Sequence, residues 1–219
     1  MSWIRRTTPP LPAVEPIVPV PCEDPFDDPA WLFEPKYDGF RGVLHIARRE
    51  CWFTSKRGNV LTQFRELCHW VRGELAGVKE AILDGEIVSL DREGRQDFRA
   101  LMARQGNFHY AAFDLLWLNG RDLRPLPLHR RKRALATILP ATTTIVSRIY
   151  TVEERGVDLF RAAERLDLEG IVAKRKRDAY APETEWLKVK NRAYTQTQGR
   201  RELFGPRGER TGVTDSGNR

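Results

Sequence analysis

The sequence contains no run of about 18 apolar residues, so a membrane-spanning helix is not expected. Its start, Met1-Ser2-Trp3-Ile4-Arg5-Arg6, runs into prolines without an apolar stretch, and a secretory leader is not expected either. Cysteine is scarce: Cys22, Cys51 and Cys68 are far apart and form no C-x-x-C pair. A disulfide framework or a structural zinc site is therefore not expected, and the thiols read as isolated and reduced, as in a cytosolic protein. The four histidines, His45, His69, His109 and His129, form no H-x-x-x-H pair and read as structural or surface residues. Both phosphate-binding glycine signatures, G-x-x-x-x-G-K-[ST] and G-x-G-x-x-G, are missing, which disfavours P-loop and Rossmann folds. No internal repeat is visible.

What is present is an ordinary globular mixture. The 219 residues are 41% hydrophobic and 31% charged, enough for one generous domain or a tight pair and too apolar for a fully disordered chain. The net charge of +7 invites a nucleic-acid or phosphate partner, although charge alone is weak evidence for one. Residues 1–25 hold seven prolines and read as an extended arm. Residues 194–219 are rich in Gly, Arg and polar residues and read as a flexible basic tail.

Between these ends, at residues 26–193, strands and helices alternate. Period-two stretches predict strands at Trp31–Glu34, Arg41–Ala47, Cys51–Ser55, Ala81–Leu90, His109–Leu118, Thr143–Tyr150, Glu169–Lys174 and Glu185–Lys190. Helical stripes run over Gln63–Leu75 and Leu128–Leu139, and Asp97 is placed to cap a short helix to Gln105. Thr151-x-x-Glu154 matches a capping box and predicts a helix to about Leu166. Together these predict an α+β fold of antiparallel sheets flanked by helices.

Several segments could carry chemistry, each with a plainer alternative. In Glu34-Pro35-Lys36-Tyr37-Asp38-Gly39-Phe40-Arg41 a lysine stands at a strand end before a turn at Asp38-Gly39; a hairpin with a surface lysine is the plainer reading. In Leu83-Asp84-Gly85-Glu86-Ile87-Val88, alternation puts Asp84 and Glu86 on one face, where basic partners, a metal or ribose hydroxyls would suit them, or simply solvent. Phe113, on the face opposite Asp114, could stack on a base or belong to the core. Leu168-Glu169-Gly170-Ile171-Val172-Ala173-Lys174-Arg175 opens a strand with a carboxylate. Trp186-Leu187-Lys188-Val189-Lys190 places two lysines side by side, favourable around a phosphate or on a solvated edge. The basic helix at His129-Arg130-Arg131-Lys132-Arg133 suits a phosphate backbone or a solvated face equally.

In this order and spacing the segments resemble the adenylation (nucleotidyltransferase) domain of ATP-dependent DNA ligases, over about Trp31 to Asn191, with a flavour close to the ligase module of bacterial end-joining ligases. The resemblance implies the covalent nucleotidyltransferase fold, described as ATP-grasp-like, and a place in the bacterial cytosol or nucleoid. It also implies that Lys36 attacks the α-phosphate of ATP as a neutral amine, with Arg41, Lys188 and Lys190 favouring that form, to give lysyl-AMP. By the same resemblance Glu86 accepts a ribose hydroxyl, Phe113 stacks on adenine and Glu34 lies near the adenine edge. Arg41 touches the sugar or a DNA phosphate, and magnesium or manganese is held by Glu169, with Asp38 a second candidate. Lys56 takes the place of an arginine usual in Ser-Arg-Asn-Gly, losing its planar fork, unless Arg57 substitutes through a shifted loop. The implied partner is nicked or broken DNA, with nick sealing in DNA repair as the implied function; the alternatives are a self-adenylating nucleotidyltransferase acting on RNA ends and a non-catalytic DNA- or partner-binding remnant. Related ligases continue into an OB-fold of about 100 residues. Only 29 residues follow Lys190 here, so no OB-fold is expected within them, and a separate OB-fold or end-joining partner would supply that role.

Overall fold

A computed structural model describes residues 11–196 apart from 49, 76, 141, 142 and 144. Its strands are β1 (Val20–Pro21), β2 (Asp27–Pro35), β3 (Phe40–Ala47), β4 (Glu50–Thr54), β5 (Glu80–Leu90), β6 (Asn107–Leu118), β7 (Arg121–Asp122), β8 (Val146–Arg148), β9 (Val152–Arg155), β10 (Gly170–Arg175) and β11 (Trp186–Lys190). Its α-helices are α1 (Arg65–Glu74), α2 (Phe98–Met102), α3 (Leu128–Ile138) and α4 (Gly156–Arg165). None is long and apolar enough to cross a membrane.

The strands form two sheets. One is ordered β1-β11-β10-β2-β9; the other is ordered β4-β3-β5-β6-β7, with β8 added beside β6. Pairing is antiparallel except for the parallel pairs β1·β11 and β6·β8, in line with the expected α+β class. The alternation expected in β5 is realised. Leu83 and Ile87 join a core under α1, α2 and α3, while Asp84 and Glu86 face the space between the sheets with Ile82. Phe33, Ile171 and Val189 bury the outer face of the five-stranded sheet against Leu159 and Ala163 of α4. Each such side chain stabilises by roughly 1.5–3 kcal/mol on burial.

Four local expectations need correction. The segment after Lys36 is not a hairpin turn, because β2 and β3 belong to different sheets and Asp38-Gly39 carries the chain between them. Gly39 is needed there for close passage: a Cβ on it would meet the Ile87 carbonyl oxygen at 2.2 Å. The capping box is also overturned. Val152–Arg155 is strand β9, paired to β2, and α4 begins only at Gly156; a tertiary partner for the strand outweighs a local cap. The basic helix is not wholly solvated, since Arg131 and Lys132 turn inward while neighbours such as Arg130 and Arg133 stay exposed.

The terminal segments are the fourth case. Residues 11–25 are extended, yet Ile17 is buried and β1 adds to the sheet edge. At the other end, Tyr194 is buried, Thr195 bonds Asp167, and Gln196 accepts from the Phe98 N–H at 2.9 Å, so the first residues of the expected tail are held by the domain. Residues 1–10 and 197–219 lie outside the described residues.

Candidate active site

The sheets enclose a cavity of about 440 Å³. Glu34, Lys36, Arg41, Lys56, Glu86, Phe113, Glu169, Lys188 and Lys190 all line it, gathered from both sheets and from positions up to 156 residues apart. Lys36 follows β2 directly. Its backbone N–H donates to the Gly170 carbonyl at 2.8 Å, and its Nζ lies 2.5 Å from Glu169 Oε2. Glu169 is aimed by the next residue: Gly170 has φ +137°, and a Cβ there would meet the Val189 carbonyl oxygen at 2.0 Å. Only glycine lets β10 start this close to β11.

Arg41 grips Asp84 with two parallel bonds of 2.6 Å, and the Tyr180 hydroxyl donates to the same carboxylate at 2.7 Å. Burial works against the guanidinium charge, but Asp84 outweighs it and holds Arg41 firmly protonated. Phe113 projects into the cavity at a bulge: the register of β5 on β6 passes from Asp84–Asp114 to Gly85–Ala112, leaving Phe113 with no opposite residue. Its ring is already engaged by cations, with the Arg41 guanidinium carbon 4.7 Å and Lys174 Nζ 4.1 Å from the ring centre.

Electrostatics differ from group to group. Burial pushes the Glu86 carboxyl up to about 7, helped by Glu169 and Asp84 and opposed by Lys36 and Arg41. Burial also pushes Lys188 down, reinforced by Lys190 and Lys36. At Glu34 burial acts upward, but Lys132 and Lys174 pair with the carboxylate and bring it below its ordinary value. Lys174 itself is lowered to about 8 by burial and by Lys132, against the pull of Glu34.

Lys56, not Arg57, faces the cavity, from a turn closed by Ser55 N–H to Asn59 O at 2.8 Å and helped by Gly58 at φ +79°. Asp38 is not brought to the cavity wall. It is buried, and its carboxylate accepts from the Tyr194 hydroxyl at 3.3 Å. Sequence reasoning passed over Lys174 and Trp186, which also line the site. The signal for both was alternation: Trp186 shares a strand face with Lys188 and Lys190, and Lys174 shares one with Val172.

The sequence profile of the ATP dependent DNA ligase domain matches residues 22–190, most of the chain. The chain belongs to the ATP-dependent DNA ligase domain family. Its relatives include the multifunctional non-homologous end joining protein LigD of Pseudomonas aeruginosa, 32% identical over 192 residues that cover 80% of this chain and 23% of that protein. Another is the SPbeta prophage-derived DNA ligase-like protein LigB of Bacillus subtilis, 29% identical, with 84% of this chain and 69% of that one covered. The chain thus spans about a quarter of the Pseudomonas relative. Among solved structures, mycobacterial DNA ligase D complexed with ATP and MES superposes with a TM-score of 0.68 at 27% identity, covering 80% of this chain and 60% of that one. The family is one of ATP-dependent DNA ligases within the nucleotidyltransferase superfamily, and the two-sheet architecture described above is that of its nucleotidyltransferase domain.

Proposed function

We propose that this domain takes AMP from ATP onto Lys36 and passes it to the 5′-phosphate of nicked or broken DNA, in the manner of a repair ligase acting in the cytosol or nucleoid. The observation that carries the reading is the Lys36 amine at 2.5 Å from Glu169, inside a cavity ringed by Arg41, Lys56, Lys188 and Lys190. In the first step the Nζ lone pair forms a bond to the α-phosphorus, the bond to the bridging oxygen breaks, and pyrophosphate departs. The amine's proton goes to Glu169 or to water. Lys188 and Lys190 offset the charge that develops on the phosphoryl oxygens. In the second step an oxygen of the DNA 5′-phosphate attacks the same phosphorus and Lys36 leaves; a 3′-hydroxyl then displaces AMP. A separate OB-fold or end-joining partner would clamp the DNA.

The donor set suits a nucleotide-bound divalent ion. Among the described residues no three His, Cys, Asp or Glu side chains gather as a metal site. Magnesium or manganese would therefore be held by Glu169, with Glu86 nearby, and otherwise by phosphate and water, the usual mode for magnesium. Bound there, it would screen the phosphate oxygens.

The test is self-adenylation. With ATP labelled in the α-phosphate the denatured protein should keep the label; with ATP labelled in the γ-phosphate it should not. Label kept from the γ-phosphate and not from the α-phosphate would indicate phosphorylation and overturn the reading.

Glu86 gives the reaction a pH signature. A carboxyl titrating near 7 is a much stronger acceptor for a ribose hydroxyl once it is ionised. ATP affinity should therefore rise with pH, by roughly fivefold to tenfold between pH 6 and 7.5. Calorimetric titration of Glu86→Gln should give a flat profile over the same range. An equally steep profile in the variant would assign the titration to another group.

A further inference from the structure

The proline-rich arm has a position in the site that composition did not suggest. Ile17 is buried against the group containing Phe113, Tyr180 and Trp186, and its N–H donates to the Tyr180 hydroxyl at 3.3 Å. Further on, Val20 and Pro21 pair with Leu187 and Lys188, and the Cys22 N–H donates to the Lys188 carbonyl at 2.9 Å. Between these two anchorages Val18 and Pro19 line the cavity that holds Lys36. Pro16, Pro19 and Pro21 stiffen the span by fixing φ. Val18 is 62% exposed, a large apolar side chain left open at the rim of a charged site although its neighbour Ile17 is buried.

We propose that the arm is a strap forming the outer wall of the nucleobase subsite, with Val18 and Pro19 covering the base of the bound nucleotide. The inference rests on the nucleotide reading above and deepens it. Phosphates belong with Lys36, Lys188 and Lys190. That leaves the apolar part of the cavity, Phe113, Val172 and Trp186, for the base, and Ile17 fixes the strap to this same part. A heteroaromatic ring is flat and mostly apolar on its faces, so it removes Val18 from water on binding. The strap adds a contact that a bare polyphosphate cannot use. It thereby contributes selectivity for nucleotides over pyrophosphate and polyphosphate.

The test is calorimetric titration of the full chain with two probes, α,β-methylene-ATP and tripolyphosphate. Val18→Ser, at an exposed position and without added charge, should weaken the ATP analogue by about fivefold to tenfold and leave tripolyphosphate within about twofold. Val18→Ala should fall between Val18→Ser and the unaltered chain for the analogue. Equal weakening for both probes would mean that the arm merely shapes the site, and no weakening for either would mean that the strap touches nothing; each overturns the inference. If the unaltered chain binds neither probe, the nucleotide reading falls first and takes the strap with it.

Discussion

Changing Lys36 to arginine should reduce covalent labelling from α-labelled ATP by about 10⁴-fold or more, the scale seen when a nucleophile is removed. Arginine keeps the positive charge and the partnership with Glu169 now made at 2.5 Å, so ATP should still bind within a few-fold of the unaltered affinity. What arginine lacks is a lone pair available for attack, because its guanidinium stays protonated. Lys36→Ala should lose the label as well, with weaker ATP binding, since Glu169 then faces the phosphates without its cation. Denaturing gels measure the label and calorimetry the binding. Persistent label on Lys36→Arg would point to Lys188 or Lys190, which share the cavity, and would remove Lys36 from the mechanism.

The second large effect concerns stability. Arg131 is 1% exposed and grips the wholly buried Asp114 at 2.8 and 2.9 Å, while also donating to the carbonyls of Leu126 and Asp178. Replacing Arg131 by methionine leaves a carboxylate in the interior with its cation gone. Removing one partner of such a pair typically costs about 3–5 kcal/mol, against a total stability of about 5–15 kcal/mol. Urea unfolding should show the midpoint falling accordingly. The double variant Arg131→Met/Asp114→Leu should recover part of the loss, because no lone charge remains, but not all of it, because the Leu126 and Asp178 carbonyls lose a donor. A single variant as stable as the unaltered chain would show that water reaches Asp114.

What could be read from the residues, and what could not, divides along physical lines. Alternation is a local property, so the shared face of Asp84 with Glu86, the helices at α1 and α3, and the cap by Asp97, which accepts from the Ala100 N–H at 2.9 Å, were legible. The family resemblance implied one site for Lys36, Glu86, Phe113, Glu169, Lys188 and Lys190, and all six line one cavity. Hidden were choices made by distant partners. Lys132 reads as a solvated lysine until Glu34, far back in the chain, takes it inward. Thr151 reads as a helix cap until β2 recruits the following residues as a strand. The contact of Asp38 with Tyr194 from beyond β11 is another such choice. Val18 carries no signal of its own, because a valine among prolines gives no sign of which surface it will cross.

Charge and directed hydrogen bonds, rather than hydrocarbon alone, join the two halves: Glu34 of β2 is held by Lys132 of α3, Asp84 of β5 by the Tyr180 hydroxyl from beyond β10, and Arg131, gripping Asp114 of β6, also donates to the Asp178 carbonyl. A greasy seam tolerates sliding, since one methyl contact substitutes for another. Ion pairs and directed hydrogen bonds across the halves do not, because their partners separate when the halves shear. The seam therefore acts as a set of alignment pins. Lys36 follows a strand of one sheet and Glu86 and Phe113 belong to the other, so the aim of the proposed nucleophile is a property of their registration. A slip of about 1 Å can cost about a hundredfold in rate. On the proposed reaction, the residues that hold the two halves in step would belong to the machinery of transfer as much as those that would touch ATP.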